Sequence, residues 1–188
     1  MSISIIIPVF NEIDQLKFTI KKLTYLKKKI KNIEIIFIDD FSNDDSNQYI
    51  KDYSKKNLLI KIFKNKKKGL GSAIREGIIK SKNEYVCIFM CDMSDDINDL
   101  VKYYKIINKE KKDAIFGTRF SKFSKVRNYP LLKLFLNRLS NYMIKLIFMS
   151  KYNDFTNAFK IYKRKTLLEL FPIVSENFNV FLELPLKI

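Results

Sequence analysis

The sequence predicts an α/β fold whose central sheet is mainly parallel and flanked by helices, and three observations predict it. Five short runs rich in Ile, Val and Phe alternate with helical patterns along the chain. These runs lack strict polar and apolar alternation, as strands buried on both faces do. Acidic residues gather at the ends of three of them on an otherwise basic chain, at the edge where open parallel sheets bind their ligands.

Taken in order, residues 4–9 form the first strand, which closes on Pro8, Phe10, Asn11 and Glu12. An amphipathic helix follows over residues 13–29. The second strand, 34–39, runs into Asp39-Asp40-Phe41-Ser42 and a polar helix at 45–56. The third, 59–63, leads through a lysine run to Gly69-Leu70-Gly71 and a helix at 72–81. The fourth, 85–90, ends at Asp92-Met93-Ser94-Asp95-Asp96 before a helix at 96–111, and the fifth covers 114–117. Residues 129–149 read as a helix with Lys133, Asn137, Arg138, Asn141 and Lys145 on one side and Leu132, Phe135, Leu139, Met143 and Leu146 on the other. Packing on the sheet and docking at an anionic membrane interface both suit that pattern. Lys133, Arg138 and Lys145 interrupt the stretch 131–149, so it is not a spanning helix.

At 188 residues the chain is long enough for one core. It has no histidine, which excludes Ser-His-Asp hydrolysis, His-ligated zinc and histidine acid/base catalysis within this polypeptide. Cys87 and Cys91 lie four apart in one apolar run, too distant along a strand to bridge, and a reduced, cytoplasmic setting is expected. No basic leader precedes the first strand. Lys and Arg number 36 against 20 Asp and Glu, a net charge of +16. That excess fits nucleic acid, anionic lipid or phosphorylated substrates, and equally a base-composition bias toward Lys. The ten Tyr and 16 Phe would suit base stacking, but they fall mostly on apolar faces, and no nucleic-acid partner is expected.

Carboxylates on three strand ends are where a divalent cation would be held against a phosphate, although each alone also suits a helix N-cap. The glycine pair at 69 and 71 marks a tight turn or a close approach, without the spacing of a Walker loop or a dinucleotide fingerprint.

The segments from Ile6 to Glu12 and from Asp39 to Ser42, with Gly69-Leu70-Gly71, Asp92-Met93-Ser94-Asp95-Asp96 and Gly117-Thr118-Arg119-Phe120, fall in the order and spacing of family 2 glycosyltransferases. The sequence resembles the dolichyl-phosphate mannose synthase and polyprenyl-phosphate glycosyltransferase branch, whose later motif is similar to the segment from Asp154 to Lys160. The resemblance implies a GT-A (nucleotide-diphospho-sugar transferase) fold over residues 1–188, as one catalytic domain cut short at its C-terminus. It implies a metal-assisted, inverting transfer of sugar from a UDP- or GDP-sugar to a polyprenyl phosphate, by a peripheral enzyme at the cytoplasmic face of an anionic membrane.

By the same resemblance Pro8, Asn11, Glu12, Asp39, Asp40, Gly69 and Gly71 bind the nucleotide. Asp92, Ser94 and Asp95 hold Mg²⁺ or Mn²⁺, and Arg119, Lys133, Asn137 and Arg138 hold the acceptor phosphate. Asp92 and Arg119 carry the catalysis. Where the family has Asp-Ala-Asp this chain has Met90-Cys91-Asp92, so the first carboxylate is missing. Met90 cannot ligate a hard cation. A transfer to a saccharide hydroxyl, with Asp95 or Asp96 as base, and a non-catalytic transferase-like protein are the alternatives.

Overall fold

The computed structural model describes residues 2–92, 94–121 and 130–188. Four strands run parallel: β1 (Ile3–Val9), β2 (Ile33–Asp39), β3 (Ile60–Lys64) and β4 (Tyr85–Ile88). Beyond them β5 (Ala114–Phe116) does not pair with β4. A sixth strand, β6 (Lys160–Lys163), lies between the two and runs antiparallel to both, giving the order β3-β2-β1-β4-β6-β5. The sheet is therefore mixed, and β6 is the strand that sequence patterning did not reveal. Because β5 is reversed twice relative to β4, its end lies at the same edge as the ends of the parallel strands.

Every residue of β1 and β2 is buried, the polar Ser4, Glu34 and Asp39 included, as central strands of a sheet covered on both faces are. Alternate side chains serve two cores. Ile3, Ile5 and Ile7 pack with Leu16, Ile20 and Leu23 of α1 (Ile13–Leu26) and Leu100 of α4 (Ile97–Glu110), while Ile50 of α2 (Ser46–Lys56) closes the same layer. Ile6, Ile36 and Ile38 pack on the other face against Ile74 and Ile78 of α3 (Leu70–Lys80). Leu167 of α6 (Arg164–Glu169) and Leu184 of α7 (Val180–Lys187) complete that face.

The helix expected over 129–149 is α5 (Leu131–Ile147), and Tyr129 lies outside the described residues. It is turned opposite to a core helix. Its one buried residue is Asn141, while Leu131, Leu132, Phe135, Leu139 and Leu146 are exposed.

Candidate active site

Backbone stitching brings the first two strand ends together. The Asn11 N–H donates to Ser42 Oγ at 3.1 Å and its Oδ1 accepts from the Asn43 N–H at 2.9 Å. The Glu12 N–H donates to Ser46 Oγ at 3.0 Å. Asn11 therefore holds the second loop with its side chain, from a left-handed backbone (φ 56°) that asparagine tolerates. Pro8 sits buried in β1 opposite Ile38, and Glu12 is half-buried beside the edge. Burial first, and then Asp92 and Asp44, push the Glu12 carboxyl up from its ordinary value.

The adjacent aspartates at the end of β2 part company. Asp40 points inward: it accepts from the Gly69 N–H at 2.9 and 3.0 Å and from Asn65 Nδ2 at 2.7 Å. Asp39 lines a cavity of about 420 Å³ with Phe41, Ser42, Asn47, Lys51 and Lys64. Its Oδ1 accepts from the Ser42 N–H at 3.3 Å, and its second oxygen accepts nothing among the described residues.

Gly69 and Gly71 do not form an open cradle. The backbone of Ser175 and Glu176 lies on them, with the Gly71 N–H donating to the Glu176 carbonyl at 2.8 Å. A Cβ at Gly71 would run into the Ser175 carbonyl. Arg75 ties the same strap down through the Ile173 and Ser175 carbonyls at 3.1 and 2.7 Å. The glycine pair is thus a close approach of two chain segments.

At the end of β4, Asp92 is exposed and its Oδ1 accepts from the Ser94 N–H at 3.0 Å. Asp95 is turned away, buried, with Oδ2 accepting from the Met90 N–H at 3.0 Å; burial pushes its carboxyl up to about 7. Asp96 caps α4 through the Asn98 N–H at 2.7 Å. The expected trio is therefore not assembled, and among the described residues no group of three or more Asp, Glu, Cys or His side chains is placed to hold a metal. The donor set that remains, Asp92 with the Ser94 hydroxyl, fits a cation carried mainly by a ligand's own phosphate oxygens.

Arg119 follows β5 at the same edge. Its Nε and Nη2 donate to Asp154 Oδ2 and Oδ1 at 2.9 and 2.6 Å, and Nη2 also donates to Thr156 Oγ1 at 2.9 Å. Thr156 donates in turn to Asn137 Oδ1 at 2.8 Å, and Asn141 Nδ2 donates to Thr156 Oγ1 at 3.0 Å. The Phe155 N–H donates to Asn141 Oδ1 at 2.6 Å. Arg138 lies 5.4 Å from the Phe120 ring centre and Arg119 5.5 Å. Arg119, Asn137 and Arg138 thus converge, and Lys133 stands one turn earlier on α5.

Sequence reasoning assigned no role to Asp154, which anchors this group, nor to Lys160. The Lys160 ammonium is buried and donates to the carbonyls of Phe155, Asn157 and Phe181. Burial lowers it to about 7, against the pull of Asp154. Both residues lie in the segment from Asp154 to Lys160, whose similarity to the family's later motif was the signal available.

The profile of glycosyl transferase family 2 matches residues 4–171, nearly the whole described site. The chain belongs to that family. A dolichol-phosphate mannosyltransferase from Pyrococcus furiosus is 25% identical over all of this chain and 53% of its own length. Among solved structures, glucosyl-3-phosphoglycerate synthase from Mycobacterium tuberculosis, in complex with Mn²⁺, UDP-glucose and phosphoglyceric acid, superposes with a TM-score of 0.73 at 13% identity. That match covers 98% of this chain and 64% of the other. A mannosyltransferase from Pyrobaculum calidifontis, in complex with GDP-mannose and Mn²⁺, superposes with a TM-score of 0.64 at 13% identity, over 95% and 50%. The family 2 chain has the GT-A fold of these glycosyltransferases, and it spans about half the length of the curated relative named here.

Proposed function

We propose that this family 2 glycosyltransferase moves a sugar from a UDP- or GDP-sugar to a polyprenyl phosphate at an anionic membrane surface, inverting the anomeric centre. The observation that carries the reading is the orientation of α5. Its asparagines bind Phe155 and Thr156, beside the Asp154 that holds Arg119, while its apolar side, with Lys133, Arg138 and Lys145 around it, faces outward. An apolar stripe with cationic neighbours suits the headgroup layer, where each Lys or Arg near an anionic leaflet contributes about 1 kcal/mol. Among the described residues no helix is long and apolar enough to cross a membrane. The free thiols Cys87 and Cys91 accord with the cytoplasmic side. Similarity to the Pyrococcus furiosus dolichol-phosphate mannosyltransferase supports the lipid-phosphate acceptor.

The residues suit an acceptor that needs no base. A phosphate is anionic at neutral pH and attacks in line once positioned, with a single displacement inverting the carbon it attacks. Arg119, held through Nε and Nη2, orients that phosphate beside Arg138. The two carboxylates available as a base for a hydroxyl acceptor are both engaged, Asp95 with the Met90 N–H and Asp96 as a helix cap. That favours the phosphate over the saccharide hydroxyl. Asp39 and Glu12 line the nucleoside end, and Asp92 with Ser94 would hold Mg²⁺ or Mn²⁺. When bound, the cation neutralises the charge that develops on the departing diphosphate.

The test is transfer of labelled sugar from GDP-mannose and UDP-glucose into a polyprenyl phosphate carried in anionic vesicles. Label in the lipid fraction is expected, falling several-fold when Lys133, Arg138 and Lys145 are all changed to Glu or when the salt concentration is raised. Label appearing only on soluble saccharide acceptors would refute the reading.

A further inference from the structure

The Lys160 side chain is enclosed where β6 begins, opposite Ile88 of β4 and Phe116 of β5, whose ring centre lies 5.7 Å from the ammonium. An ammonium has three donors and no acceptor, and here it meets three carbonyls: Phe155 at 2.9 Å, Asn157, and Phe181 at 3.3 Å. The last of these is open to Lys160 because of Pro185. In α7 the residue four beyond Phe181 would ordinarily donate to that carbonyl, and Pro185 has no N–H. Lys160 and Pro185 therefore belong to one arrangement, which fastens α7 to the segment before β6.

Two of the three carbonyls belong to the residues on either side of Thr156, so the ammonium holds this stretch from within. The same stretch serves the site on its other side. Asp154 accepts from Arg119 Nε and Nη2 at 2.9 and 2.6 Å, and Thr156 Oγ1 accepts from Nη2 at 2.9 Å. The segment is clamped between a buried cation and a guanidinium, and the directions of its carbonyls decide where Asp154 and Thr156 stand. Packing alone does not account for a lysine here. An apolar side chain would fill the position without burying a charge, as Ile161 does next to it, but it could not turn two carbonyls inward.

We propose that Lys160 is a positioning residue for sugar transfer: by holding the carbonyls of Phe155 and Asn157 it fixes the segment that aims the Arg119 guanidinium at the acceptor phosphate. The proposal rests on the phosphate-acceptor reading above and adds to it a residue that acts without touching the acceptor. All three hydrogens are needed, since a neutral amine has two and leaves one buried carbonyl without its donor. Burial lowers the ammonium to about 7, with Asp154 opposing the shift and Arg119 adding to it. Tyr162, on the same face of β6, is pushed well above its ordinary value by burial and stays neutral. Loss of the Lys160 proton therefore loosens the segment while the arginine it aims keeps its charge.

The test is transfer of labelled sugar from GDP-mannose and UDP-glucose to a polyprenyl phosphate in anionic vesicles, by the whole chain, with acceptor and donor varied separately. Lys160→Met is expected to raise the KM for the polyprenyl phosphate about tenfold and to leave the KM for the donor unchanged, because only the aim of Arg119 is lost. In the parent chain the acceptor KM is expected to rise several-fold between about pH 6 and about pH 9, and in Lys160→Arg, which keeps the charge, to stay level. A folded Lys160→Met with an unchanged acceptor KM, or with both KM values raised alike, overturns the inference. If Lys160→Met does not fold, a parent acceptor KM that stays level with pH, or one that rises as steeply in Lys160→Arg, overturns it. Absence of any transfer to the polyprenyl phosphate by the parent chain overturns the acceptor reading and this inference with it.

Discussion

Replacing Asp154 by Asn tests whether Arg119, proposed above to orient the acceptor phosphate, depends on the buried carboxylate that holds it. The Asp154 side chain is fully buried, and it receives the Arg119 backbone N–H at 2.8 Å as well as the two guanidinium bonds at 2.9 and 2.6 Å. Asn keeps the shape but offers one oxygen and turns an N–H toward the guanidinium. A hydrogen bond to a charged group contributes roughly 1.5–3 kcal/mol, and two are weakened. The Arg119 side chain is 27% exposed, so water takes up part of the loss and the net cost is about 2 kcal/mol. For a chain of this size that lowers the melting temperature by about 4–8 °C and leaves the protein folded. Urea unfolding should show a lower midpoint with an unchanged slope. Transfer to the lipid phosphate should fall about tenfold or more while nucleotide affinity is kept, because only the guanidinium's orientation has been loosened. Arg119→Lys, which replaces a planar fork by a point charge, should reproduce the loss of transfer. Unchanged transfer in Asp154→Asn, together with an unchanged urea midpoint, would refute the reasoning.

Asp92→Asn should remove most of the Mn²⁺-dependent part of nucleotide-diphosphate binding, since Asp92 is exposed at the end of β4 while Asp95 is buried and Asp96 caps α4; calorimetry with and without Mn²⁺ measures the difference, and an unchanged metal dependence would take Asp92 out of the site. Lys160 gives a pH signature. Its folded-state value lies near 7, below the ordinary 10.5, so its contribution to stability is complete above about 10.5 and is lost as pH falls toward 7. Lys160→Met should flatten that rise in urea midpoint between pH 7 and 10, and a rise of the same steepness in the variant would assign it to other groups.

The parallel half of the sheet was legible because its strands are continuous apolar runs and its turns carry Asp, Asn, Ser and Gly. Boundaries moved only slightly: β4 stops at Ile88 because the Met90 N–H already serves Asp95, and α1 stops at Leu26. Strand-end carboxylates were found as a group, but their orientations were not legible. Asp39 and Asp40 are neighbours in sequence, yet one lines a cavity and the other is spent on Gly69, a distinction set by the alternation of side chains along β2. The glycine pair was read as either a tight turn or a close approach; it is the latter, and what approaches it arrives from a hundred residues away. The strap at Ser175 and Glu176 has no periodicity that would announce it.

The strand that escaped sequence patterning also explains why α5 is inverted. The segment Lys160-Ile161-Tyr162-Lys163 is four residues long with lysine at both ends, so neither length nor pattern marks it as a central strand. It is nonetheless buried, because the Lys160 ammonium finds three carbonyls inside the protein. Running antiparallel to β4, it begins where β4 ends, and so the residues just before it, 154–157, are delivered to the ligand-binding edge of the sheet. Asp154 and Thr156 arrive there as polar groups needing partners, and Arg119 at the end of β5 supplies one set. The second set comes from α5, whose Asn137 and Asn141 must face inward to meet Thr156 and the Phe155 N–H. A helix has only one inward side, and once polar bonds claim it the leucines and phenylalanines of the opposite side are left outside. The exposed apolar face is therefore tied, through Thr156, to the arginine that holds the acceptor phosphate in the reading above, which sets a surface suited to lipid beside the group suited to a lipid's phosphate.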